Sequence, residues 1–248
     1  MRLKSAALLL GLWYVISFFT ELPCPHDVAE RFFYLLLNPE PVLGKTLVEH
    51  ALASIWRVLM ASSAAFLIAV PLGIAAGWYR QLREILMPAI EALRPIPPLA
   101  WIPLAYIIFA PLPNTVQISQ IFIVFVGAFF PCLVSVFDYA RNTPPELIEM
   151  AEVFGANSRM ILRDIVLPYS LQGVVTGIRI GLGVGWMSII AAEMIATSGE
   201  GLGYFIMVMY SVGGRVAEIV AGMAMIGVIG YAMNMILLKA EKVILLWR

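Results

Sequence analysis

The chain has 248 residues, of which 61% are hydrophobic and only 13% charged, against about a quarter charged in a soluble domain. Too few polar residues remain to coat a soluble core of this size, so one polytopic, all-α membrane domain over 1–248 is expected, with the lipid bilayer as its main surroundings. Sixteen basic residues balance sixteen acidic ones, so no nucleic-acid partner or polyanion drawn by bulk field is expected.

In chain order, Met1 to Phe19 places Arg2 and Lys4 ahead of an apolar stretch. No small-x-small cleavage pattern follows at 20–25, so it reads as a retained first helix. Residues 21–50 mix Asp27, Glu30, Glu40 and Glu49 with Phe32, Phe33 and Tyr34, which predicts an interfacial amphipathic helix ended by Asn38-Pro39. Gly44-Lys45-Thr46 looks like the tail of a phosphate-binding loop, but Pro39 stands where the first glycine is required. It is therefore not read as a nucleotide site.

Apolar runs long enough to cross about 30 Å of hydrocarbon fall near 5–20, 54–78, 99–118, 117–137, 171–196 and 217–238, predicting six transmembrane helices. Pro97, Pro98, Pro103, Pro111 and Pro113 break the third run, so a short third helix is expected. The glycine-rich segment 198–216 reads as a short re-entrant hairpin. Arg2, Lys4, Arg80, Arg83, Arg141, Arg159, Arg163, Lys239, Lys242 and Arg248 gather on one side, with only Arg31, Lys45 and Arg215 on the other. Cations accumulate in cytoplasmic loops, which puts both termini in the cytoplasm of a multi-pass protein of the cell membrane.

The longest inner loop holds a segment, 143–168, that reads residue by residue. Thr143-Pro144-Pro145-Glu146 has the form of a capping box, with Thr143 as N-cap and Glu146 reaching back. Leu147, Ile148, Ala151 and Phe154 then form an apolar stripe at helical spacing, and Gly155 ends the helix in the left-handed conformation. Asn157 or Ser158 starts a second helix, which Leu167-Pro168 closes before the fifth span. By itself this is compatible with an ordinary amphipathic connector.

The string Glu149-Met150-Ala151, with Gly155 after it and then Leu167-Pro168, resembles the EAA loop of ABC importer permeases, with Met150 in place of the middle alanine. Arg94-Pro-Ile-Pro-Pro-Leu-Ala-Trp-Ile-Pro-Leu104, Gly127-Ala-Phe-Phe-Pro131, Ala192-Glu-Met-Ile195 and Gly201-Leu-Gly-Tyr204 resemble the subfamily that serves nitrate, sulfonate, taurine and bicarbonate. The resemblance covers roughly 45–240. It implies the type I importer fold with a cytoplasmic coupling helix, a second permease copy in a homodimer, separate ATPase subunits that hold ATP and Mg, and an extracytoplasmic substrate-binding protein. It also implies that Glu146, Glu149, Met150, Ala151, Phe154, Gly155, Ala156, Leu167 and Pro168 couple the chain to the ATPase.

Gly173, Gly177, Gly181 and Gly185 recur every four residues along the fifth span, a ladder for close helix approach, either as static packing or at a subunit contact or moving seam. Arg94, Pro97, Pro98, Trp101, Glu193 and Met194 are candidates to line a translocation pathway. Their alternatives are ion pairing or snorkelling for Arg94, a packed kink for the prolines and Trp101, and for Glu193 a structural hydrogen bond to the glycine-rich segment. Arg179 is read as snorkelling toward the cytoplasm. His26 and His50 stand alone in the sequence, so no metal is expected, nor any catalytic residue or cofactor on this chain. Cys24 and Cys132 lie in different segments and are not expected to pair.

Overall fold

The computed structural model describes residues 2–195 and 198–244, which leaves Arg248 of the inner cation set outside the described residues. Every regular element among these residues is helical. They are α1 (Arg2–Phe19), α2 (Pro25–Leu37), α3 (Leu47–Trp78), α4 (Arg80–Leu93), α5 (Ile102–Phe109), α6 (Thr115–Arg141), α7 (Pro145–Val153), α8 (Ser158–Ile161), α9 (Leu167–Ile195), α10 (Leu202–Val212) and α11 (Val216–Ile244). A 3-10 turn at Pro98–Trp101 leads into α5, and a π turn at Leu162–Val166 joins α8 to α9.

Four described helices are long and apolar enough to cross a membrane: α3, α6, the continuous run Ser158–Ile195, and Val216–Val243. A fifth span arises only if α4 and the segment Pro98–Phe109 count as one, bent by 94°. Leu10–Phe19 of α1 is a shorter apolar helix. The short third helix expected from the prolines is α5, whereas α4 lies between the second and third apolar runs, where no helix was expected. Leu86, Met87 and Ile90 of α4 pack on Ala69, Cys132, Leu133 and Val136, so its apolar residues recur at helical spacing behind the charges of Arg80, Arg83, Glu84 and Glu91.

The chain divides into two compact units, Met1–Ile55 with Glu193–Tyr231, and Trp56–Ala192 with Ala232–Arg248. The second unit is built on close backbone approach. A Cβ added at Gly173, Gly177 or Gly181 would meet the α6 backbone at Ser135, Cys132 or Ala128 within 2.8–3.0 Å, and one at Gly185 would press on Ser62 and Val124. The glycine ladder of α9 therefore packs against α6 of its own chain. Gly73 and Gly77 of α3 do the same on α6, where Cβ atoms would crowd Val136 and Ala140. Arg179 donates to Glu241 at 3.0 Å within this unit, an ion pair that holds its charge.

The first unit is tied instead by polar groups. Thr46 and Glu49 form a capping box at the start of α3: the Glu49 carboxylate accepts from the Thr46 N–H at 2.7 Å, and the Thr46 hydroxyl accepts from the Glu49 N–H at 3.2 Å. Buried Glu40 accepts from the N–H groups of Val42 and Leu43. Arg215 bridges Glu40 and Glu218, each at 3.3 Å, and Arg31 lies 3.7 Å from Glu218. Lys45 reaches Glu200 at 2.7 Å. Each of Arg31, Lys45 and Arg215 is thus paired with an acidic residue. The glycine-rich segment expected as a hairpin is the single helix α10, set between Gly201 and Gly213, both at positive φ.

Candidate functional site

The segment between α6 and α9 carries the strongest sequence signal, and its geometry begins with its caps. The expected capping box at Thr143 does not form, because α7 starts one residue later with Pro144 in the cap position. Thr143 instead donates its hydroxyl to the Ala140 carbonyl at 3.0 Å, closing the end of α6. The far end of α7 matches expectation closely. Gly155 takes φ +83°, its N–H donates to Glu152, and the Ala156 N–H donates to Ala151, each at 2.9 Å, the paired bonds of a Schellman stop. Asn157 then caps α8, its side chain accepting from the Met160 N–H at 3.0 Å.

Leu167-Pro168 does not close a helix. The π turn runs straight into α9, with the Leu167 N–H donating to Leu162 five residues back. A wider turn makes room for the ring of Pro168, which lacks the N–H an α-helix would need there. Ser170 donates to the Val166 carbonyl at 2.6 Å just beyond.

The apolar stripe of α7 is split between two tasks. Ile148 and Ala151 pack on Ala140, Ile161 and Val166, together with Trp78 and Ile165, which anchors α7 to the ends of α3 and α6 and to the α8 and π-turn segment that leads into α9. Val153 and Phe154 are 85% and 84% exposed, and Leu147 and Met150 are exposed beside them. Glu146, Glu149 and Glu152 are exposed on the same helix. A shallow groove of about 300 Å³ runs between Leu147 and Met150 on one wall and Asp164, Ile165, Pro168 and Tyr169 on the other. The result is a rigidly held helix whose outer face is apolar and acidic at once.

The candidate pathway residues are not gathered within one unit. Arg94, at the end of α4, and Pro97 are exposed, while Pro98 and Trp101 are half-buried, the Trp101 ring edge-on to Phe122. Glu193 belongs to the other unit and is fully buried. Its carboxylate accepts from the Ser54 hydroxyl at 2.8 Å and from the Gly203 N–H at 3.0 Å. Beside it the Gly201 N–H donates to His50 Nδ1 at 3.1 Å and the Leu202 N–H to the Ser54 hydroxyl oxygen at 2.9 Å. Three consecutive N–H groups at the start of α10 are thereby held by Glu193, Ser54 and His50. The next residue, Met194, is half-buried. Ser54 was not singled out in the sequence and His50 was weighed only as a metal ligand; their spacing of four residues on one helix face was the available signal. Nor does His26 stand alone, since Cys24, His26 and Asp27 bring potential metal-ligand atoms within 4.8 Å of one another.

The profile of the binding-protein-dependent transport system inner membrane component matches residues 69–241, a stretch that contains α7, Gly155 and Glu193. The chain belongs to that family. A putative ABC transporter permease protein of Methanocaldococcus jannaschii is 37% identical to this permease, covering 100% of it and 92% of the relative. The taurine transport system permease protein of Escherichia coli is 32% identical, covering 100% and 89%. The bicarbonate transport system permease protein of Synechococcus elongatus is 34% identical, covering 90% and 81%. The permease is a multi-pass membrane transport subunit rather than an enzyme, and its family implies work with an ATPase and a substrate-binding protein.

Proposed function

We propose that this permease imports a small anion of the sulfonate, nitrate or bicarbonate type, and that α7 is the coupling helix through which a separate ATPase drives it. The observation that carries this reading is the exposed row Leu147, Met150, Val153 and Phe154, flanked by Glu146, Glu149 and Glu152 and anchored from behind by Ile148 and Ala151. An apolar face rimmed by carboxylates suits a partner groove that is apolar within and basic at its edge. Leu167 and Pro168, exposed on the far side of the groove, extend that face. Because α7 rests on the ends of α3 and α6 and on the turn that leads into α9, a push on it is passed to them as a tilt rather than absorbed in a loose loop.

Six spans with both termini in the cytoplasm, a homodimer of permeases, and ATP with Mg on the ATPase complete the proposal. The indole N–H of Trp101 is buried without a hydrogen-bond partner among the described residues, which makes it a neutral donor suited to a passing anion. The similarity to taurine and bicarbonate permeases supports the solute class.

The test is uptake into vesicles holding the permease with its ATPase and binding protein. ATP-dependent accumulation of one of these anions is expected, with Phe154→Ala or Glu149→Lys lowering it about tenfold or more while the permease still inserts, the loss of an interface anchor of about 1.4 kcal/mol or more. Accumulation driven by a proton gradient in the absence of the ATPase would overturn the proposal.

A further inference from the structure

Where α1 meets α2, the sequence Pro23-Cys24-Pro25-His26-Asp27 folds three potential metal donors into one place. Cys24 occupies the cap position of α2 with φ −62° and ψ 150°, Pro25 begins the helix, and Asp27 lies in its first turn. Prolines on both sides hold Cys24 in this extended geometry. The Trp13 indole N–H donates to the Pro23 carbonyl at 3.2 Å, which fixes the segment to α1.

The cysteine sulfur, a histidine nitrogen and an aspartate oxygen lie within 4.8 Å of one another. His26 Nε2 is 3.4 Å from Asp27 Oδ1. Donors around a tetrahedral zinc ion are separated by about 3.3–3.6 Å, given metal–ligand bonds of about 2.0–2.3 Å. One pair is already at that distance, and the rest close by small rotations of side chains that are exposed or half-buried.

The supporting groups also fit. The other ring nitrogen, Nδ1, is 3.4 Å from the Tyr14 hydroxyl and the two rings are stacked. With Nδ1–H donating to that oxygen, Nε2 presents its lone pair toward Asp27, the arrangement by which a metal-bound histidine is oriented. The Ser17 hydroxyl lies 3.4 Å from Cys24 Sγ and 2.8 Å from the Tyr14 carbonyl, so it can turn its proton to the sulfur once the thiol proton is gone. Both supporting residues come from α1 and all three donors from the start of α2.

We propose that Cys24, His26 and Asp27 bind a zinc-type divalent cation that clamps the end of α1 to α2. On binding, the thiol proton passes to water, the thiolate donates an electron pair to the metal, and the imidazole and carboxylate complete three positions. A water molecule fills the fourth. One sulfur, one nitrogen and one oxygen select a borderline-soft ion over Mg²⁺ or Ca²⁺, which prefer oxygen-only shells.

The experiment is a Co²⁺ titration of the full-length permease in detergent, read by the thiolate-to-cobalt charge-transfer band, followed by displacement with Zn²⁺. The band should saturate at a single site, vanish in Cys24→Ser and persist in Cys132→Ala. His26→Gln and Asp27→Asn should each weaken binding, and Tyr14→Phe should weaken it about tenfold through loss of the second hydrogen bond. Zn²⁺ should raise the Tm of the unaltered chain and leave that of Cys24→Ser unchanged. The proposal fails if no band develops, if the band survives Cys24→Ser, or if both His26→Gln and Asp27→Asn bind as tightly as the parent chain.

Discussion

α9 passes through two regimes of packing. Along 167–192 it offers a face of glycines, and the α6 backbone comes close enough that no side chain fits between. The next residue, Glu193, stands buried among Ser54, His50 and the N–H groups of α10. The first regime rests on dispersion between surfaces without side-chain protrusions, the second on satisfying a carboxylate away from water. A glycine contact is lost gradually as volume is added, while a buried carboxylate depends on every donor around it.

Five substitutions probe that contrast, each read as the Tm of the purified permease in detergent. The largest effect is expected at Gly201, where the backbone has φ +122° and an added Cβ would collide with the Glu193 carboxylate. Gly201→Ala should cost about 3 kcal/mol or more, from backbone strain and overpacking together. Glu193→Gln keeps the shape but turns an amide donor toward the Ser54 hydroxyl or the Gly203 N–H, leaving one group unpaired at about 2 kcal/mol. A smaller loss at Gly201 than at Gly181 would reverse the ranking of the two regimes.

Gly181→Ala should cost about 1–2 kcal/mol, since its Cβ would lie 2.8 Å from both the Ala128 carbonyl and the Phe66 ring. Gly183, two residues on, has open space around it, so Gly183→Ala should be neutral or stabilise by up to about 1 kcal/mol through helix propensity. A similarly small effect belongs to Lys45→Ala. Its ion pair with Glu200 is more than a third exposed on both sides, and about 0.5 kcal/mol is expected.

Most of the helices could be read from apolar runs and from local stops. The helix ended by Asn38, the glycine stop at Gly155 and the cap at Asn157 depend on neighbours in sequence. α4 was concealed because its arginines and glutamates interrupt any long apolar run, while its apolar residues found a face to cover. The two capping boxes show the same limit. Thr46-x-x-Glu49 closes and Thr143-x-x-Glu146 does not, although both fit the pattern, because a second proline after Thr143 moves the helix start by one residue.

The sequence by itself determined that the chain is helical and belongs in a bilayer, and which short segment bears the family's mark. Those properties follow from composition and from bonds between near neighbours. Only the tertiary structure decided that the α9 glycines face α6 of the same chain, that Glu193 is enclosed by donors, and that α7 buries Ile148 and Ala151 while exposing Phe154. A helical pattern fixes which residues share a face; what that face meets depends on which helices the fold brings together.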